Sequence, residues 1–252
     1  MDEGNLFKSL NGANQNMGTI NALEYMKNGF LAVGGSSQKM NIWDVNKGAL
    51  NKTFYRSSSV TALAFTENGC IARGGLKEIT IYDLNKREPN ILFVLKDWAK
   101  ALVYAGNGYL ASSEQNTNGT IKIWDIDQEK LSKTLEGHKG WAKVLIQIEN
   151  GLIVSGGSDE TVKIWNVTEG KLVKTFKTGQ IESLAYLDKG CLAIGSNDWT
   201  VKILDIYLEK IVLNLVGHTG SVKSVVYLKN GLLASGSDDS KIKIWDLREL
   251  ND

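Results

Sequence analysis

The chain is poor in the residues that mark several common classes of protein. Of its 252 residues only two are cysteine, Cys70 and Cys191. That excludes a disulfide-built scaffold and makes a reducing compartment the expectation. There is one proline, Pro89, and no low-complexity or linker-like stretch divides the chain. Neither sign of charge is in excess: 29 lysines and arginines face 28 aspartates and glutamates, for a net charge of +1. A dedicated nucleic-acid binder carries a basic surplus, so nucleic acid is disfavoured as a partner, although the balance leaves room for a local basic patch. No apolar run approaches the ~18 residues of a membrane-spanning helix, and no membrane partner is expected. The opening residues Met1 to Asn5 are acidic and lack an apolar core, unlike a secretory signal. A cytoplasmic location, with the nucleus as alternative, is therefore expected.

What the chain does contain is repetition. Six related dipeptides recur: Trp43-Asp44, Tyr82-Asp83, Trp124-Asp125, Trp165-Asn166, Leu204-Asp205 and Trp245-Asp246, at steps of 39, 42, 41, 39 and 41 residues. Upstream of each stands a turn ending in glycine: Asn28-Gly29, Asn68-Gly69, Asn107-Gly108, Asn150-Gly151, Lys189-Gly190 and Asn230-Gly231. Asn-Gly suits a two-residue type I′ hairpin, in which both central residues need positive φ. Apolar runs flank each turn, so each predicts two antiparallel strands. A third strand with period-two alternation ends at the dipeptide, as in Thr161 to Trp165 and Lys241 to Trp245, and a fourth follows it, as in Lys171 to Phe176. Four short strands in ~40 residues, without a helical signal, form the pattern of a propeller blade.

On these motifs the chain resembles the WD-repeat β-propeller family over its whole length. Two repeats match the full pattern: Gly137-His138 precedes Ser155, Asp159 and Trp165, and Gly217-His218 precedes Ser235, Asp239 and Trp245. The resemblance implies an all-β fold, a single six-bladed propeller domain over residues 1–252 built of four-stranded antiparallel blades. Too few residues follow Asp246 for another strand, whereas Asn5 to Leu10 resembles the fourth strand Lys171 to Phe176. The N-terminal strand, residues 5–10, is therefore expected to complete the last blade and close the ring. Because the chain begins and stops near this closure, a propeller domain cut from a larger scaffold is an alternative.

Features that recur at a fixed phase are most simply structural. His138 and His218 occupy one phase, and the resemblance implies that each links its Ser, Asp and Trp in a buried hydrogen-bonded tetrad; a nucleophilic triad or metal site is the weaker reading. The fifth repeat keeps Asp198 but has Lys177 at the His position and Leu204 at the Trp position; the third has Asn118 near the Asp position. The first two have neither His nor Asp, so packing alone is expected to hold them, with residues 1–95 the more mobile part. Cys70 and Cys191 are expected to act as small core hydrophobes. Lys122, Lys163, Lys202 and Lys243 all stand two residues before the Trp position and belong to the repeat.

Features that depart from the repeat are the functional candidates. Trp98 and Trp141, each just before an inner strand, and Trp199, in the turn after Asp198, are out of phase with the strand tryptophans. In the family, peptides bind through a residue early in each inner strand on the narrow channel-mouth face. By phase these positions are Asn21, Thr61, Lys100, Lys143, Glu182 and Lys223. Together with Trp98, Trp141 and Trp199 they form the expected peptide-binding site. Indoles give large contact area at few rotors, and lysines beside them favour an acidic or phosphorylated segment. The expected function is thus a non-catalytic protein-interaction scaffold and monomeric domain, with no cofactor and a protein or peptide partner. Oligonucleotide or glycan binding on the same Trp/Lys face is the alternative, since bases stack on indoles too. No metal-ligand cluster, phosphate loop or paired carboxylates outside the repeat pattern speaks for an enzyme.

Overall fold

A computed structural model of the chain describes residues 10, 17–26, 29–84, 91–115, 119–149, 151–187 and 189–248. The chain separates into two compact units, residues 1–102 and 103–252. Both are built of antiparallel sheets whose strands follow one another in chain order.

In the first unit one sheet holds β1 (Ile20–Met26), β2 (Phe30–Gly35), β3 (Lys39–Asp44) and β4 (Ala49–Tyr55). The next holds β5 (Ala62–Phe65), β6 (Cys70–Gly74), β7 (Leu76–Asp83) and the first part of β8 (Ile91–Gly106). Their facing apolar residues share a core that includes Met26, Met40, Ile42, Phe54, Val60, Leu63, Ile71 and Tyr82. The Phe54 and Tyr82 rings lie 4.5 Å apart, centroid to centroid. In the second unit the end of β8 precedes β9 (Tyr109–Glu114), β10 (Ile121–Asp125) and β11 (Lys130–Leu135). Two complete four-stranded sheets follow. One comprises β12 (Ala142–Glu149), β13 (Leu152–Gly157), β14 (Thr161–Asn166) and β15 (Lys171–Lys177). The other comprises β16 (Ser183–Tyr186), β17 (Cys191–Gly195), β18 (Val201–Asp205) and β19 (Lys210–Leu215). The last sheet has three strands among the described residues, β20 (Val222–Lys229), β21 (Leu232–Ser237) and β22 (Ile242–Asp246). Separate apolar cores fill the spaces between consecutive sheets, one around Ile164, Ile181 and Ile194, the next around Ile203, Val222 and Leu233.

Three local devices recur. At Asn107-Gly108, Lys189-Gly190 and Asn230-Gly231 both residues have positive φ, as the predicted hairpins require, whereas at Asn68-Gly69 only the glycine does. There Thr66 bonds Cys70 and the loop is longer. On the fourth strand a β-bulge falls opposite the Trp position in four repeats, between the partners of Ile42/Trp43, Ile123/Trp124, Ile164/Trp165 and Ile203/Leu204. Bulges increase local strand twist. Finally, a glycine near the end of the second strand lets the next inner strand approach. A Cβ on Gly34 would lie 2.2 Å from Val60, one on Gly74 2.8 Å from Ala99, and one on Gly156 2.6 Å from Ile181.

Three expectations need correction or completion. No loop separates the second repeat from the third inner strand: β8 is continuous, and Trp98 lies within it, paired with Leu76 and half-buried. No glycine or proline interrupts Val94 to Ala99, and the extra residues there are taken up as a register shift opposite Leu76 and Glu78. Nor does the second repeat rely on packing alone. Arg73, buried at 1% exposure, occupies the tetrad's serine position by register, and its guanidinium bonds Glu78 at 2.8 Å and Ser58. In the first repeat buried Asn41 accepts from Thr53 Oγ1 at 2.8 Å. Both cysteines are half-buried rather than fully in the core, and Cys191 packs against the core around Ile203, Val222 and Leu233. The expected closing strand, apart from Leu10, and Asn118 lie outside the described residues.

Candidate functional site

In the sheets β12–β15, β16–β19 and β20–β22, the approach to the inner strand and the turn between the second and third strands meet at one end. Ser158 N donates to Trp141 O and Trp141 N to Ser158 Oγ, each at 2.8 Å. Asp238 N donates to Ser221 O at 2.9 Å, and Asn197 Nδ2 to Gln180 Oε1 at 2.7 Å. The hairpin turns and the turns after the Trp position meet at the opposite end, where Val167 N donates to Gly151 O at 2.8 Å.

The tetrads anchor the first end. Asp159 binds His138 Nδ1 at 2.9 Å, so Nδ1 carries the proton that a carboxylate must accept. Nε2 of the neutral ring then accepts from Ser155 Oγ at 2.6 Å, and Ser155 Oγ accepts from Trp165 Nε1 at 2.8 Å. The hydrogen bonds thus run in one direction, from indole to hydroxyl to imidazole to carboxylate. Burial pushes the His138 imidazole below its usual pKa, against the opposing pull of Asp159, which keeps it neutral at pH 7. Burial alone would raise the Asp159 carboxyl, but the Lys139 amide, Thr161 and His138 outweigh it and hold it low. His218 repeats the arrangement, with Asp239 at 2.7 Å, Ser235 at 2.8 Å and Trp245 Nε1 to Ser235 at 2.8 Å. Trp165 is buried and Trp245 half-buried.

Degenerate repeats keep parts of this device. In the third, Trp124 Nε1 donates to Ser112 Oγ at 2.8 Å. In the fifth, Lys177 at the His position points to solvent, and Lys202 instead binds Asp198 and donates to Thr178 O at 3.0 Å. Burial opposes the ionised Asp198, yet Lys202, Thr200 and Ser196 bring its pKa to about 2. The in-phase lysines are likewise engaged: Lys163 is buried and donates to Thr175 Oγ1 at 3.0 Å, and Lys122 pairs with Glu114.

The phase-matched candidates line up from repeat to repeat. In the first unit Asn21 Nδ2 donates to Val60 O at 3.0 Å and Thr61 Oγ1 to Ala99 O at 2.6 Å, each reaching the residue just before its counterpart in the next repeat. Lys100 is exposed there. In the second unit β12 packs beside β16 and β16 beside β20. Lys143 Nζ donates to Glu182 Oε1 at 3.0 Å, and Lys223 Nζ to Glu182 Oε2 at 3.3 Å. Lys223 also lies 3.5 Å from Asp238. Burial raises the Glu182 carboxyl, but the hydrogen bonds and charges of the two lysines prevail and hold its pKa low. So two of the three lysines expected to make the face basic are already paired.

Two indoles border this ionic row. Trp141 is 36% exposed and Trp199 55%. Trp199 has φ of 72°, at the turn position where Glu160 (62°) and Ser240 (63°) stand in neighbouring repeats. A bulky aromatic in the left-handed region is uncommon. Asp238 was not among the candidates, although its phase offered a signal: Ser158 and Asn197 hold it elsewhere, and only the last repeat places a charge there. Among the described residues no group of three or more His, Cys, Asp and Glu could hold a metal.

Comparison with known proteins agrees with this geometry. The family model "WD domain, G-beta repeat" (WD40) matches residues 129–166 and 209–246, the two stretches that carry the complete tetrads. The chain thus carries WD repeats at these two positions. It is also similar to the "p21-activated protein kinase-interacting protein 1-like" protein of Danio rerio, with 29% identity over 202 residues. The match covers 77% of this chain and 54% of that protein, so the chain spans about half of its relative's length.

Proposed function

We propose that this WD-repeat chain is a non-catalytic protein-interaction scaffold. It binds a peptide segment of its partner at the end of the sheets that carries Trp141, Lys143, Glu182, Trp199 and Lys223. The observation that carries the reading is the pair of exposed indoles beside a row of accessible charges. Tryptophan is enriched in interface hot spots, and charges beside it steer a partner of complementary sign. Trp199 adds weight, because strained backbone persists where function requires it. The Danio rerio relative is named for interacting with another protein, which favours the same class for this chain. The pairing of Lys143 and Lys223 with Glu182 leaves little free positive charge for a nucleic-acid backbone, which favours peptide over oligonucleotide.

The architecture that goes with this reading is a six-bladed propeller. Three complete four-stranded sheets, a seven-stranded sheet in which two repeats share β8, and a last sheet with three described strands support the count.

The test is a peptide array probed with the wild-type chain and with the Trp141→Ala, Lys143→Glu double variant. Loss of the wild-type signals is expected. An unchanged pattern would remove the face from consideration.

A further inference from the structure

Glu182 stands out among the phase-matched residues. Its counterparts Asn21 and Thr61 are neutral donors that bond a backbone carbonyl, and its counterparts Lys100, Lys143 and Lys223 are cations. In the fifth repeat alone this position is an anion. Each oxygen of its carboxylate is taken by a different lysine, Oε1 by Lys143 from one side and Oε2 by Lys223 from the other. All three side chains remain partly open to solvent, at 28%, 22% and 47% for Lys143, Glu182 and Lys223. At this phase the first two repeats carry an amide and a hydroxyl, each donating to a backbone carbonyl of the next repeat, so the phase itself does not call for a carboxylate.

We propose that Glu182 occupies the place of a ligand's anion. The two lysines form an oxyanion subsite on the binding face, and a partner segment enters it by exchanging its own carboxylate or phosphoryl group for the Glu182 carboxylate. This rests on the peptide-binding reading above and adds the chemistry of the partner: an acidic segment, admitted against an internal competitor. Because Glu182 is tethered, it competes at high effective concentration. A single carboxylate from outside replaces one much like itself and gains little. A phosphoryl group carries a charge of about −1.5 to −2 and three acceptor oxygens, and gains more from the same two lysines. The competitor therefore sets a threshold of charge that a partner must exceed.

The experiment compares wild type with Glu182→Gln and with Glu182→Thr, the residue that Thr61 supplies at this phase in the second repeat. Two variants guard against one that folds poorly, and thermal melting of each reports its fold. The probes are fluorescent peptide libraries with random flanks around a fixed centre of two glutamates, phosphoserine or two glutamines, read by polarisation. Removing a competitor held by two half-exposed ion pairs should tighten the glutamate and phosphoserine libraries about tenfold and leave the glutamine library unchanged. Phosphoserine should exceed glutamate most clearly in the wild type. Equal or weaker acidic binding in both folded variants would overturn the exchange and make Glu182 a spacer between strands. An equal gain for the glutamine library would also overturn it, because the site would then not be selecting an anion. Binding of any library that persists in Trp141→Ala would count against the face itself, a separate result.

Discussion

Ser155 provides a quantitative test of how the complete repeats hold their loops. Its hydroxyl is fully buried and sits between two groups, donating to His138 Nε2 at 2.6 Å and accepting from Trp165 Nε1 at 2.8 Å. The change Ser155→Ala removes one oxygen but orphans two polar atoms that water does not reach. Each buried unsatisfied group costs about 1–3 kcal/mol, so the variant should lose about 2–6 kcal/mol. In the third repeat Ser112 makes the corresponding bond to Trp124 and has no histidine, so Ser112→Ala orphans one indole and should lose about 1–3 kcal/mol. The difference between the two serines is thus the share of the histidine. Urea unfolding followed by tryptophan fluorescence measures it; with a slope of roughly 2 kcal/mol/M, Ser155→Ala should shift the midpoint by about 1–3 M. The double change with Trp165→Phe deletes the orphaned N–H, and the serine's cost should then fall by about 1 kcal/mol. A loss for Ser155→Ala below about 0.5 kcal/mol, the range of surface substitutions, would refute the reasoning. So would a loss no larger than that of Ser112→Ala.

Three further outcomes follow from the packing. Gly156→Ala should destabilise by about 1–3 kcal/mol, because its Cβ would fall 2.6 Å from Ile181 in a filled core; calorimetry showing no change would mean that the inner strand is free to retreat. In Lys202→Met, the Asp198 pKa should climb from about 2 toward the ordinary carboxylate value, as followed by NMR titration; the stability that the depressed pKa gives the parent is present above pH 3.8 and lost as pH falls from 3.8 to about 2, and the variant should lack that contribution and show a flatter profile over the same window. An unmoved Asp198 would make its neighbours Thr200 and Ser196 sufficient. Deleting residues 1–11 should lower the melting temperature and the amide protection of β22, whereas a truncated chain as stable as the parent would rule out closure by the N-terminal strand.

Much of the fold was legible because the repeats form an alignment within one chain. The hairpin glycines, the alternating third strands and the His138 and His218 tetrads are each encoded by residues at fixed spacing, and the strands and hydrogen bonds fall where that spacing puts them. What escaped the sequence depends on distances between strands that spacing does not carry. Arg73 replaces a serine by register, and only its position beside Ser58 and Glu78 makes it the polar centre of the second repeat. The continuity of β8 goes with the absence of glycine and proline between Val94 and Ala99, which is weaker information than the presence of a turn signal. The glycines at 34, 74 and 156 share a phase, but their need is visible only when the neighbouring strand is in place.

The candidate face shows the same division. Its indoles were found because they break the repeat, and Trp141 and Trp199 are indeed exposed. The lysines were counted as free charge, whereas Lys143 and Lys223 share Glu182 across 39 and 41 residues of chain. A tally of charges gives the net sign of a surface; only geometry gives the charge left over for a partner.

On the proposed reading, a protein partner is held at the Trp199 end of the sheets. A photo-reactive phenylalanine analogue at Trp199, and in a separate chain at Glu169 in the turn at the opposite end, tests it directly. After irradiation with co-purified partners, mass spectrometry should find cross-linked partner peptides from position 199 and none from position 169. Cross-links that arise from position 169, or equally from both, would contradict the assignment of the binding face.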